Sequence, residues 1–426
     1  VGRHRNRALE ARHSERDPWR PREVSFGDDE LGSGVIARPT AHSHEHGDDL
    51  RVSVRSRVAL WAALVPMLLA TIVGLFVLWP SADALPDRMP YFGEGAGSLH
   101  ATSEGVPDEA TALVPARLDD GTAVQVAVPP EAMGEIGDGD RMRVFDIPEA
   151  AGFGSTYVFV DFAREIPLAL LALAFVGVVV AVARWRGVAA IVGLVGAFAA
   201  IGAFTLPALL AGEPALPVAL VSASVVMCIV LYLAHGFSTR TTTALLGTLI
   251  GLLLTAGIAW LATSSSRIMG TSAEESQILF TQTSADLSDV FLCGLVLAGM
   301  GVLNDVTITQ ASAVWELRAV APGASRGELF ARAMRIGRDH IASTVYTIAF
   351  AYVGAALPLL MVMWMTDAPV DVQLTTGEVV EEVVRTLVGS IGLVLAIPVT
   401  TGIAALVVPG ASAAPEDAPL EAPARA

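Results

Sequence analysis

Lysine is absent from this chain: all 27 basic residues are arginine. Cysteine is nearly so, with two residues, Cys228 and Cys293, placed in separate apolar stretches. That excludes a disulfide framework and reads as small buried hydrophobes. Charge is also scarce, at 16% of residues against 53% hydrophobic, and the mean hydropathy of +0.57 is too apolar for a water-soluble fold. The chain lacks H-E-x-x-H, the phosphate-cradling G-x-x-x-x-G-K-[ST] and the nucleophile elbow G-x-S-x-G, so no enzymatic activity and no cofactor are expected. The net charge of −16 is unevenly spread and does not point to a nucleic-acid partner.

What the chain does have is eight long apolar blocks from Val58 onward. The first, Val58 to Trp79, is long enough to cross about 30 Å of hydrocarbon. Arg51, Arg55 and Arg57 precede it, and Trp61 and Trp79 stand near its ends, where interfacial rings belong. Ala82-Asp83-Ala84 resembles a signal-peptidase site, but the length of the run favours an uncleaved anchor. Seven further spans are expected at 166–183, 188–210, 215–235, 242–262, 286–305, 343–365 and 383–408. Arginines alternate in the later loops: Arg184, Arg186, Arg240 and the segment 306–342 fall on one side, and the loops 211–214, 263–285 and 366–382 on the other carry Arg267 alone. By the positive-inside rule both termini are cytoplasmic, and the protein is a multi-pass protein of the plasma membrane.

The expected organisation is a disordered cytoplasmic tail (1–57), the first span (58–79), an extracytoplasmic β-rich module (80–165), a seven-helix membrane domain (166–408) and a second disordered tail (409–426). The fold class is an all-α polytopic membrane protein carrying a small β-barrel-like, OB-like module between spans 1 and 2. The module has 16 acidic and 5 basic side chains. Strands are predicted at 112–118 and 122–128, flanking the turn signal Asp119-Asp120-Gly121, and at 141–145 and 157–162. In the first tail His42, His44 and His46 alternate in the manner of a weak imidazole site, which in a floppy segment ordinarily binds metal adventitiously; no metal centre is expected.

Ionisable groups inside the apolar blocks are the best pointer to function, because each costs about 2.5–3.5 kcal/mol at mid-bilayer even on the mildest scale. The sixth span has only 14 uninterrupted apolar residues, Val290 to Leu303, so it either draws Asp286, Asp289, Asn304, Asp305 or Thr307 into the membrane or is re-entrant. If its helix continues, Asp305, Thr309, Ser312 and Glu316 share one face. The eighth span opens with Glu381, Glu382 and Arg385, of which Glu381 and Arg385 are spaced to pair, and Pro398 interrupts it. A third group, Arg338, Asp339 and His340, marks the entry to the seventh span, where charges also reach headgroup depth by snorkelling. Ser325 and Glu328 form a capping-box pattern ahead of an amphipathic helix at 325–341, suited to anionic lipid or to a cytoplasmic protein partner. Gly247 and Gly251 read as a close helix contact. The pentapeptide Gly-Leu-Val-Leu-Ala occurs at 294–298 and 392–396, which in so apolar a chain is ordinary chance repetition.

The run Gly301-Val-Leu-Asn304-Asp305-Val-Thr307-Ile-Thr309-Gln310-Ala-Ser-Ala-Val-Trp315-Glu316-Leu-Arg318, then Gly337-Arg338-Asp339-His340-Ile-Ala-Ser343-Thr344-Val, resembles the YibE/F family of multi-spanning bacterial membrane proteins. Arg385-Thr-Leu-Val-Gly389-Ser390-Ile-Gly392 and the external module are similar too, so the resemblance spans roughly Val58 to Val408. It implies a bacterial inner-membrane protein and no particular activity. Asn304 stands where the family pattern is associated with a second carboxylate, and Tyr346 where it is associated with Asn. Together these readings predict a transporter-like protein whose sixth and eighth spans form a polar path for a small solute, with Asp305 first and Arg385 second among its residues. The rival is a scaffold that recruits partners through the external module and the amphipathic helix.

Overall fold

The computed structural model describes residues 52–86, 97–147, 155–272, 274–283 and 285–410. The expectations for the two tails, including the histidine run, lie outside these residues. The first helix, α1 (Val54–Val77), starts on Ser53, whose hydroxyl accepts the Ser56 N–H at 3.1 Å. Among its residues Leu60 and Leu64 are buried, Met67, Leu68 and Leu75 pack partly against the core, and much of the remaining apolar surface is exposed.

Five strands follow: β1 (Gly97–Ser103), β2 (Leu113–Leu118), β3 (Ala123–Ala127), β4 (Arg141–Asp146) and β5 (Tyr157–Phe162). They close into a barrel in the order β1-β2-β3-β5-β4, with β3 and β5 parallel and the other pairs antiparallel. Val114, Ala116, Val126, Met142, Val144 and Phe159 fill it. The β2–β3 hairpin turns on the expected Asp119-Asp120-Gly121: Asp120 Oδ1 accepts the Thr122 N–H at 2.8 Å, and Gly121 takes φ 89°. β1 was not legible beforehand. Its sequence GSLHATS turns only Ala101 and Ser103 fully inward, so no apolar alternation announces it.

The helices resume with α2 (Glu165–Ala183), α3 (Trp185–Leu210), α4 (Ala215–His235), α5 (Thr239–Ser266), the short α6 (Glu274–Gln282), α7 (Leu287–Val320), α8 (Arg326–Ala355), α9 (Leu357–Met365), the short α10 (Val370–Leu374) and α11 (Gly377–Val407). Among the described residues seven helices are long and apolar enough to cross a membrane, or eight if α8 and α9 together make one broken span. α2 buries none of its residues. It reverses into α3 through Arg184 alone, at φ 54°, and the turn is tight enough that a methyl at Gly187 would lie 2.5 Å from the Val179 carbonyl oxygen.

Three features of the helices bear on the sequence reading. Of the two readings of the sixth span the structure takes the continuous one: α7 is one helix of 34 residues, about 51 Å at helical rise, capped by Asp286 and carrying its polar C-terminal half straight on from the apolar one. Polar residues on one side do not stop a helix whose opposite side, from Phe291 to Trp315, is buried. The stretch expected as the seventh span is two helices, α8 and α9, which meet at 64° at Ala356, with Pro358 in the first turn of α9. The amphipathic stretch and the first part of that span are a single helix, α8, whose N-terminus carries the expected capping box between Ser325 and Glu328.

Helices α5, α7 and α11 pack most heavily on one another. Their closeness depends on glycine. A methyl at Gly247 or Gly392 would overlap the side chains of Thr400 and Thr255 respectively, and one at Gly251 would lie 3.1 Å from Ala396 and 3.2 Å from Leu303.

Candidate functional site

These contacts fix the relative depth of the polar residues. Thr248 faces Thr307, and Thr255 faces Gly299, so α5 and α7 run antiparallel and Arg240 sits level with residue 315 of α7. Phe291 faces Arg385 and Gln310 faces Thr401, so α7 and α11 run parallel. At 1.5 Å per residue, Asp305 therefore lies about 15 Å from the level of Arg240 and about 21 Å from that of Arg385. The two charged ends bracket a thickness close to that of a bilayer, and Asp305 falls near its middle.

At the Arg385 end, the sequence spacing paired Glu381 with Arg385. The structure instead sets Arg385 Nε 3.6 Å from Glu382 Oε1 and its guanidinium over the Phe291 ring, 5.3 Å from the centroid. Glu381 points the other way and accepts a 2.7 Å hydrogen bond from Ser272. The residue three positions away thus takes the role given to the one four away, because Glu381 is already engaged with the loop after α5. Asp289 begins the first turn of α7, where its charge complements the helix dipole. Beside this group the α8–α9 bend leaves an apolar cleft of about 310 Å³ against α11, lined by Tyr352, Val353, Ala356, Glu382, Val383 and Thr386.

The mid-depth group lies where α5, α7, α8 and α11 meet. Thr248 and Thr307 share a 2.6 Å hydroxyl contact, and Thr401 donates to Gln310 Oε1 at 2.9 Å. Gln310, Thr307, Thr400 and Thr401 are fully buried. Four polar atoms here have no hydrogen-bond partner: Asn304 Oδ1, Gln310 Nε2, Thr400 Oγ1 and His340 Nε2. Gln310 is admitted by Gly337 of α8, where a methyl would lie 3.0 Å from its Nε2. His340, one turn further along α8, reaches Asp305, with Nε2 3.8 Å from Oδ2. Asp305 itself is 70% exposed. It continues in a part-exposed line through Thr309 and Ser312 to Glu316, below Gly301, whose surroundings are open.

Between the two groups the interface is small and apolar, built from Leu295, Val296, Gly299, Leu303, Leu393 and Ala396, with Thr255 bonded back to its own helix. The candidates from sequence are thus brought into two groups, Asp305, Asn304 and His340 in one and Arg385, Glu381 and Asp289 at the level of the other. Arg338 and Asp339 lie on the α8 stretch just before His340. Sequence reasoning passed over Gln310, Thr400 and Thr401 as site residues. A lone amide or hydroxyl inside an apolar block normally bonds to its own helix, as Thr255 does, and only the packing shows which ones face each other. Among the described residues no group of three or more metal-ligating side chains occurs.

The fold and its polar interior define a polytopic helical membrane protein with a barrel between its first two long helices. A family model described as YibE/F-like protein matches residues 171–410, more than half of the chain, and the chain belongs to that family. The matched region contains both polar groups and leaves the barrel outside. No curated protein and no solved structure matches the chain.

Proposed function

We propose that this is a plasma-membrane permease that moves a small polar solute along α7 and α11, with Asp305 and His340 as its mid-membrane station and Arg385 with Glu382 at the far end. One observation carries the reading: a 70% exposed carboxylate near mid-bilayer, beside an imidazole and buried polar atoms that lack partners. A carboxylate facing lipid at that depth is costly, whereas one facing a water-filled path is not. The small apolar layer between the two groups is then the closed gate. Both termini and the arginine-rich ends of α5 and α7 face the cytoplasm, and the barrel lies outside; its strand order supports the OB-like reading. No enzymatic step is part of this function.

The test is osmotic swelling of vesicles carrying the reconstituted protein, with a panel of small charged and neutral solutes. We expect at least one solute to enter faster than into protein-free vesicles, and Asp305→Asn to remove the acceleration. Permeability equal to that of protein-free vesicles across the panel, with insertion verified by proteolysis, contradicts it. The scaffold reading has its own support in the clamp of β1 and β4 on α2, where His100 and Arg143 both bond Glu165. It predicts that Asp305→Asn has no effect and that breaking this clamp does.

A further inference from the structure

Arg318, near the C-terminal end of α7, is 2% exposed and has no carboxylate partner among the described residues. Its Nη1 donates to the carbonyls of Pro322 and Ala324, both at 2.8 Å, and so ties down the turn between α7 and α8. The other edge of the guanidinium, Nε with Nη2, makes no hydrogen bond at all. That edge is the planar two-donor fork that matches two oxygens of an oxyanion. A buried cation with three of its five N–H donors idle is unfavourable, and the like charge of Arg326 at the start of α8 adds to the cost.

The position narrows the ligand. Arg318 lies within one turn of the level at which Arg240 begins α5, which puts it at the boundary where the apolar part of the bundle ends. Anionic headgroups concentrate at that depth on the arginine-rich side of a membrane. We propose that the Nε–Nη2 edge of Arg318, assisted by Arg326, is a binding site for a phosphate oxyanion, supplied by the headgroup of an anionic phospholipid. The ligand completes the hydrogen bonding of the α7–α8 turn and so fixes the angle at which α8 carries Gly337 and His340 against α7. The inference rests on the membrane placement and not on permeation, and retention of the protein in carbonate-washed membranes checks that placement separately.

The experiment measures thermal unfolding of the full chain in micelles during titration with dioctanoyl phosphatidylglycerol, dioctanoyl phosphatidylcholine or inorganic phosphate. Phosphatidylglycerol is expected to raise Tm saturably. Arg318→Lys keeps the charge but loses the fork, and is expected to weaken the apparent affinity roughly tenfold or more. Arg326→Gln touches none of the hydrogen bonds of the turn, and is expected to weaken it by several-fold even if Arg318→Lys does not fold. An equal response to inorganic phosphate, lost in the same variants, keeps the oxyanion site and makes free phosphate the source. No saturable response to any of the three, or a response unchanged in Arg326→Gln and in whichever Arg318 variant folds, overturns the proposal.

Discussion

The barrel and the α5–α7–α11 core treat a buried polar group in opposite ways. In the barrel Ser103 is buried, but its hydroxyl accepts the Asp140 N–H at 2.8 Å and contacts the carbonyls of Gly137 and Asp140, so nothing is left over. Its charges lie on the surface in pairs such as Arg117 with Glu104 and Arg141 with Asp119. In the helical core Asn304, Gln310 and Thr400 are enclosed with atoms that bond to nothing, although hydrocarbon offers no water to satisfy them. A fully bonded polar group specifies a shape. An incompletely bonded one in a costly place implies something else that visits it, and every such atom among the described residues lies in the helical part. On the proposed function, the barrel supports and the core carries the solute.

Stability should break along the same line. Met142→Ala, which empties the centre of the barrel, is expected to cost about 2–5 kcal/mol, read as the loss of the barrel's own unfolding transition. In the core the sensitive positions are glycines: Gly392→Val forces a branched side chain into Thr255 and is expected to cost about 1–3 kcal/mol or more, seen as a lower Tm in detergent. The paired test is Ser103→Ala against Gln310→Leu. The first leaves the Asp140 N–H only its long 3.4 Å contact with the Gly137 carbonyl and should destabilise by about 1–3 kcal/mol, whereas the second replaces an incompletely bonded amide with an apolar side chain and should change stability by less than about 1 kcal/mol while abolishing solute flux. If Gln310→Leu unfolds the protein instead, the core amide is structural and the contrast fails.

The smallest effect concerns pH. The Thr122 N–H and hydroxyl hold the Asp120 carboxyl below the ordinary carboxylate range. A group depressed in the folded state stabilises above its unfolded pKa, and that support is lost as the pH falls through the folded value. Acidification to that range should therefore loosen the β2–β3 turn slightly. Amide exchange at Gly121 and Thr122 should rise there in the wild type, and in Asp120→Ala should be raised at neutral pH already.

Much of this architecture could be read from residue order. Apolar runs with alternating arginines outlined the long helices, Asp119-Asp120-Gly121 marked the hairpin, and Ser325 with Glu328 marked the start of α8. The rest needed three dimensions. β1 has too little apolar alternation to be recognised, and the unbroken α7 looked short because only the apolar part of a helix registers as a span. Asp305 and His340 were each legible, but their approach to 3.8 Å depends on Gly337 letting α8 close on α7. Gln310 was invisible as a site residue because its neighbours in space, Thr401 and Gly337, come from two other helices.

The central claim is that the face of α7 at Asp305 meets water inside the membrane. In a chain with Cys228→Ser and Cys293→Ser, Gly301→Cys and Ser390→Cys place thiols on α7 and α11 above Asp305, and Gly301 has open space for the added side chain. The account predicts that a membrane-impermeant maleimide labels Gly301→Cys, and labels Ser390→Cys when the gate opens during solute exposure. No labelling at either position, with a loop cysteine reacting normally, would contradict it.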